Sequence, residues 1–218
     1  MPPDRAAERT AFIERYDVSR ETLGRLDRFV ELLLAWQAKT NLVAPSTLPQ
    51  LWSRHIADSM AFVDLAPEAL RWVDIGSGGG FPGIVTAILL KDRADAEVHL
   101  VESTEKKAAF LRLVIRDLAL PAKVHAVRIE TADAVLSRAQ AVSARALARL
   151  DTLLGMVAGR IDPTIPCFFA KGRGHLEEIE EASAHWRFSV VKHSSKVEPD
   201  SVILDVRDIG RRSDAIRP

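Results

Sequence analysis

Val73-Asp74-Ile75-Gly76-Ser77-Gly78-Gly79-Gly80-Phe81-Pro82-Gly83 is the stretch that decides the fold. An apolar run ends at Ile75, glycines crowd the next five positions, and Pro82 stands where a helix can begin. The pattern reads as the carboxyl end of a buried strand, a glycine-rich loop and a helix start, with the proline suited to a first helical turn. Glycine lets such a loop turn sharply and approach a ligand closely. At the end of the first strand of an α/β sheet, loops of this kind receive nucleotide-like cofactors.

Outward from the loop, strand and helix alternate. Short β-rich runs occupy 71–75, 97–101, 123–127, 140–145 and 165–170. Helical spacing fits Pro82 to Lys91, and 104–118 with Ala108, Leu111 and Ile115. Alternation of this kind predicts a parallel sheet covered by helices on both faces. The ending differs, because Trp186 to His193 and Ser201 to Asp208 alternate apolar and polar residues across a short connection containing Pro199-Asp200. That connection is too short for a parallel crossover, so one of the last two strands should run antiparallel. Before the loop the chain reads as helical. Ser19 can cap a helix carrying Leu23, Leu26, Phe29, Val30, Leu33 and Leu34 at the expected spacing. Asn41 and Pro45 break the pattern, and Thr47 with Pro49 starts a helix bearing Leu51, Trp52, His55, Ile56 and Met60. Pro67 marks the change of texture. The expected organisation is a helical cap over 1–66 and an α/β core over 67–218. Five parallel strands followed by a hairpin look like the seven-stranded sheet of the class I, Rossmann-like, S-adenosylmethionine-dependent methyltransferases.

The loop itself admits two readings. Gly78 to Gly83 fits the G-x-G-x-x-G of dinucleotide sites, a weak signal when alone. Gly76 to Gly80 fits the looser G-x-G-x-G of methyltransferases, preceded by the acidic Asp74. Pro82 removes a donor where a pyrophosphate would use every N–H. The sheet consumes the rest of the chain, leaving no dehydrogenase substrate domain, and the terminal hairpin also favours the methyltransferase. Glu102, at the end of the second strand, can accept hydrogen bonds from both ribose hydroxyls of an adenosine; as a bland alternative, it is a carboxylate at a helix N-terminus.

Bulk properties narrow the function. Thirty basic residues balance thirty acidic ones, which excludes a generic polyanion binder and requires any nucleic-acid contact to be local. Cys167 is the single cysteine, so no internal disulfide forms. The first residues lack an apolar signal core and no stretch reaches membrane-span length, which predicts a soluble cytoplasmic protein without a membrane partner. The six histidines show no ligand spacing, so no metal is expected. Between 138 and 175, Arg138, Arg145, Arg149, Arg160, Lys171 and Arg173 face only Asp151 and Asp162. Lys171 and Arg173, flanked by glycines after the fifth strand, are the candidate phosphate contacts. Pro166-Cys167 resembles the cysteine of cytosine-C5 methylation but lies within an apolar strand, where a thiol is ordinarily inert.

Several runs in fixed order carry a closer likeness: Trp36 with Asn41-Leu42, Arg54-His55-Ile56-Ala57-Asp58-Ser59, the glycine loop, Glu102-Ser103 with Lys106-Lys107 and Phe110-Leu111, Arg145-Ala146, and Lys171-Gly172. Together they resemble the glucose-inhibited division protein B family, bacterial 16S ribosomal RNA guanine-N7 methyltransferases, from about residue 20 to the last strand. Gly79 and Phe81 depart from the proline and leucine common in that family, while keeping the turn and its apolar wall. The resemblance implies S-adenosylmethionine bound at Gly76, Gly78, Phe81 and Glu102, with Ile129-Glu130 flanking the adenine and Arg145 near the methionine end. It implies an acceptor pocket lined by Asn41, Arg54 and His55. It also implies 16S ribosomal RNA or the small ribosomal subunit as partner, and a monomer is expected. Guanine N7 has a lone pair and no proton to lose, so no catalytic dyad is needed, only positioning and a compatible field. The place after the fourth strand, Ser143-Ala144-Arg145-Ala146-Leu147, lacks the Asn/Asp-Pro-Pro-aromatic run of exocyclic-amine methylases. The competing readings are a class I methyltransferase for a small molecule or protein, a non-catalytic cofactor-binding regulator on the ribosome and, last, a nicotinamide enzyme.

Overall fold

The computed structural model describes residues 3–195, 197 and 200–212; Pro199 of the terminal connection lies outside them. The chain opens with α1 (Pro3–Arg15) and α2 (Arg20–Gln37), the latter capped as its sequence predicts, with the Ser19 side chain accepting from the Thr22 N–H. The helix expected from Thr47 is three consecutive pieces: a 3-10 turn Pro45–Gln50, a π-helix Leu51–Ala57 and α3 (Asp58–Leu65). Pro45 and Pro49 withhold backbone donors from a regular helix. At the π-helix start, the Glu8 carboxylate of α1 takes the Trp52 N–H at 3.2 Å and the Ser53 hydroxyl, supplying acceptors to a helix end that has none of its own.

The core follows as β1 (Arg71–Ile75), α4 (Gly83–Leu89), β2 (Glu97–Val101), α5 (Glu105–Asp117), β3 (Ala122–His125), α6 (Asp133–Leu136), β4 (Ala141–Arg145), α7 (Leu150–Val157), β5 (Cys167–Lys171), α8 (His175–His185), β6 (Trp186–Ser194) and β7 (Val202–Arg211). Several expected boundaries move, among them the last strand, which runs on from Asp208 to Arg211. Pro82 caps α4 from outside its first turn. The third strand stops at His125, and the fifth begins only after Pro166, which has no N–H for the ladder.

The sheet order is β3-β2-β1-β4-β5-β7-β6. Strands β1 to β5 pair in parallel, and β7 inserts between β5 and β6, antiparallel to both. Strand alternation divides the core into two layers. Trp72 and Phe168 point to one face, with α1 to α5, while Val73, Cys167 and Phe169 point to the other, with α6 to α8. Phe12, Phe29, Trp52 and Phe62 of the amino-terminal helices join the same buried cluster as Trp72, Val98 and Phe110. The helical segment therefore roofs one face of the sheet. The chain leaves β1 towards β2 and β3, then returns to β4 on the other side of β1. That reversal opens a crevice at the carboxyl ends of β1 and β4, where ligands of open α/β sheets bind.

Candidate active site

The glycine loop leaves β1 into this crevice. Gly76 has φ +68°, a left-handed backbone that residues with a Cβ rarely adopt, and a Cβ there would lie 2.5 Å from Leu147 Cδ1 and oblige that side chain to shift. The N–H groups of Gly76 and Ser77 both bond the Val101 carbonyl, at 2.8 and 3.1 Å, fastening the loop to the end of β2. Glu102 fastens it further: one carboxylate oxygen accepts the Gly78 N–H at 2.9 Å and the other the Thr104 N–H at 2.7 Å. Each oxygen keeps a second acceptor position, and the residue lines the adjoining cavity. Beneath the loop, buried Asp74 accepts the Ser143 hydroxyl of β4 at 2.7 Å, tying together the two strands that flank the crevice. Burial pushes its carboxyl up to about 6, against the opposing hydrogen bonds from Ser143, Ser77 and Gly83 and with a small further push from Glu102.

A cavity of about 600 Å³ collects every residue expected at the cofactor site: Gly76, Gly78, Phe81, Glu102, Ile129, Glu130 and Arg145 all line it. Ile129 begins a short 3-10 turn after β3 and is buried, whereas Glu130 is exposed at the rim. The roof is the linker before the π-helix, where Leu42, Val43 and Thr47 face the cavity. Asn41, expected with Arg54 and His55 in the acceptor pocket, lines neither this cavity nor the larger one beside it. Its side chain is turned to the surface, where it accepts the Gln37 amide at 3.1 Å. Gln37 does the positioning instead. Its amide oxygen takes the N–H groups of Leu42 and Val43 at 2.9 and 3.1 Å, and its nitrogen donates to the Val43 carbonyl at 2.8 Å. Nothing in the local sequence marks Gln37, because its partners are backbone groups of a loop with no regular spacing. Lys107, Arg128 and Met156 are further lining residues that the motifs do not single out.

The π-helix separates its two candidate residues. His55 lines the cofactor-side cavity, while Arg54 lines a second, larger one of about 1200 Å³ at the carboxyl ends of β4 and β5, beside β7. The His55 ring packs against Phe81 at 4.9 Å, with Nε2 2.9 Å from the Thr47 hydroxyl. Burial, with help from the nearby cations Arg145 and then Arg54, pushes its pKa down to about 3, so the imidazole is neutral at physiological pH. Arg145 ends β4 and lines both cavities, its Nη2 donating to the Arg54 carbonyl at 2.5 Å. Ala146 also borders both and holds φ +52°, a left-handed conformation uncommon for alanine that turns the chain at their junction.

The expected phosphate pair does not stand as a pair. Lys171 is 9% exposed, and its ammonium donates inward to the Ala148 carbonyl at 2.6 Å and to Glu178 at 2.7 Å. The carboxylate of α8 and the turn after β4 thus claim its charge, so Lys171 borders the larger cavity with its ammonium already engaged instead of offered to a phosphate. Arg173 is exposed at the rim of the larger cavity, in an ion pair with Asp200 at 2.7 Å. Cys167 is fully buried and its thiol is pushed up by burial, which leaves it chemically quiet. Among the described residues, no cluster of three or more His, Cys, Asp or Glu could hold a metal ion, and no helix is long and apolar enough to cross a membrane.

The fold has solved counterparts. The O-methyltransferase from Bacillus cereus, in complex with SAH, superposes with a TM-score of 0.60 at 14% identity, covering 93% of this chain and 97% of that one. A putative O-methyltransferase from Klebsiella pneumoniae gives 0.57 at 12% identity, covering 93% and 96%. Sequence relatives are much nearer. Ribosomal RNA small subunit methyltransferase G of Rhizobium rhizogenes is 51% identical over 197 residues, 89% of this chain and 96% of that protein. The protein of the same name from Bradyrhizobium is 47% identical over 209 residues, 95% and 94% of the two chains. The GidB family profile, described as rRNA small subunit methyltransferase G, matches residues 22–202, from the second helix into the last strand. With the glycine loop, the six strands β1 to β6 and the helices α3 to α8 all inside that span, the chain belongs to the GidB family.

Proposed function

We propose that this protein transfers the methyl group of S-adenosylmethionine to N7 of a guanine in 16S ribosomal RNA, acting in the cytoplasm as a monomer on the RNA or the small ribosomal subunit. The observation that carries the reading is the pair of cavities meeting at Arg145 and Ala146 in a GidB-family chain. The cofactor supplies a methyl group on a sulfonium, already activated for in-line attack. Glu102 is placed to receive the ribose hydroxyls through its remaining acceptor positions, and Ile129 offers an apolar face for the adenine. Gly76 borders the part of the cavity that would receive the methionine end, with Arg145 lining the same cavity. A neutral His55 keeps an additional positive charge away from a sulfonium, which an imidazolium would repel. No general base is required, because guanine N7 attacks with a lone pair and loses no proton. Catalysis then rests on holding the base in line with the methyl group.

The test incubates the protein with methyl-labelled S-adenosylmethionine and ribosomal RNA or small subunits from cells lacking the gene. Label is expected in 16S RNA and absent from protein. Label in protein, or none in RNA with cofactor demonstrably bound, would overturn the reading.

A further inference from the structure

We propose that Glu8 of α1 is a positioning residue for methyl transfer: by pinning the start of the π-helix it fixes the Arg54 carbonyl, which holds Arg145, and the His55 ring, which lies on Phe81. The inference rests on the methyl-transfer reading above and deepens it with a residue that lines neither cavity.

An α-helix leaves its first four N–H groups without an internal acceptor, and an i→i+5 ladder leaves five. A π-turn is therefore short of acceptors at its start and persists where something outside the helix supplies them. Gln50, at the cap position of Leu51–Ala57, makes no side-chain bond to the helix. Glu8 reaches across from α1 instead, one oxygen accepting the Trp52 N–H at 3.2 Å and the other the Ser53 hydroxyl. The helix that carries Glu8 is itself fastened. Arg9 holds Asp27 of α2 through two bonds, at 2.5 and 2.6 Å. Phe12, one turn beyond Glu8 on the same face, lies 5.0 Å from the Trp52 ring, and the Arg9 guanidinium lies 5.8 Å from that ring's centre. Glu8, Arg9 and Phe12 thus grip the backbone and the ring of one residue, Trp52.

From Trp52 the site is close along the chain. Two residues on, the Arg54 carbonyl accepts Arg145 Nη2 at 2.5 Å, at the junction of the two cavities. One residue further, the His55 ring stands 4.9 Å from Phe81, with Nε2 2.9 Å from the Thr47 hydroxyl. Direct contacts and a few peptide units therefore join Glu8 to both cavities. Without the carboxylate, the segment gains an internal hydrogen bond by tightening from i→i+5 to i→i+4. Tightening winds the following residues relative to the sheet, so Arg54 and His55 cannot both keep their partners. In-line transfer is sensitive to such shifts, since a misplacement of about 1 Å can cost about 100-fold.

Two measurements test this on the wild type, Glu8→Ala and Glu8→Gln: steady-state methyl transfer to 16S RNA, and an NMR titration of the His55 ring. Glu8→Ala should lower kcat by about 10- to 100-fold and change the KM for S-adenosylmethionine by less than about threefold, because Gly76 and Glu102 are untouched. Its His55 ring, neutral at pH 5 in the wild type, should leave Phe81 and titrate near the ordinary 6.5. Glu8→Gln keeps an oxygen for the Trp52 N–H and should recover most of kcat. A carboxylate that only steadied α1 would lower the melting temperature of Glu8→Ala and leave kcat and the His55 titration of the folded protein as in the wild type. Either readout unchanged in folded Glu8→Ala, or a Glu8→Gln as impaired as Glu8→Ala, overturns the proposal. If Glu8→Ala fails to fold, Glu8→Asp takes its place, one methylene too short to hold both groups. The same two changes are then expected, and a Glu8→Asp that matches the wild type overturns the proposal. If the wild type transfers no methyl group to RNA, the methyl-transfer reading falls and the His55 titration alone decides whether Glu8 holds the π-helix.

Discussion

At Gly76, a left-handed backbone strains any residue with a Cβ, and the Leu147 side chain would have to move to admit one. Gly76→Val should therefore fold yet lose S-adenosylmethionine affinity by at least about tenfold, from a left-handed conformational cost of about 1–2 kcal/mol plus displacement of Leu147 into the cavity. Calorimetry checks this, and unchanged affinity would remove the loop from the site. Glu102→Gln should weaken binding by about 1–3 kcal/mol. A glutamine retains one oxygen and would turn an NH2 towards the N–H of Gly78 or Thr104, so the loop itself should loosen. Equal losses for ribose and 2′-deoxyribose analogues of the cofactor would count against hydroxyl recognition. Gly76 and Glu102 were legible in the sequence because strand ends and glycine loops have fixed places in this topology. Asn41 and Lys171 were not, because their orientation depends on Gln37 and Glu178, partners that sequence proximity and charge do not identify.

The π-helix Leu51–Ala57 distributes Arg54 and His55 between two cavities, and its roof makes His55 a buried neutral group. Its folded pKa lies near 3, below the usual 6.5, so the unfolded chain takes up a proton that the folded protein refuses. The stability tied to this group is complete above about pH 6.5 and is lost as pH falls towards 3. Asp74 works oppositely. Its raised value near 6 makes the folded protein the stronger proton binder between about pH 4 and 6, so its contribution is present at low pH and lost on raising it. Denaturant unfolding of wild type and His55→Gln between pH 4 and 6.5 isolates the histidine. The wild type should lose stability relative to the variant as pH falls, by up to about 1.4 kcal/mol per pH unit. Parallel curves would mean that the imidazole is not held neutral. The sequence predicted a helix here from the apolar spacing of Leu51, Trp52, Ile56 and Met60. It could not predict the π-turn, which depends on Pro49 and on the Glu8 carboxylate reaching over from α1.

Across the whole molecule the charge is balanced, so RNA must be held by local contacts and by shape. Lys171 and Arg173, neighbours in sequence, should behave as different kinds of residue. Lys171→Ala leaves the half-buried Glu178 carboxylate with the Leu150 N–H but no cation and should cost about 1–3 kcal/mol of folding stability. Arg173→Ala should leave the melting temperature nearly unchanged and make the slope of log RNA affinity against log salt shallower by about one unit. Equal thermal effects, or an unaltered slope for Arg173→Ala, would show that the rim is drawn wrongly. At this scale the sequence was most informative. Alternation of strands and helices, together with the short terminal connection, anticipated the antiparallel strand, although not that β7 would enter between β5 and β6. The central claim, methylation of a guanine at N7 in 16S RNA, is tested most directly by nucleoside analysis of 16S RNA from cells with and without this gene. The account predicts one 7-methylguanosine fewer per molecule in RNA from cells without it, restored by the wild-type protein and not by Gly76→Val. An identical 7-methylguanosine content in the two RNAs would contradict it.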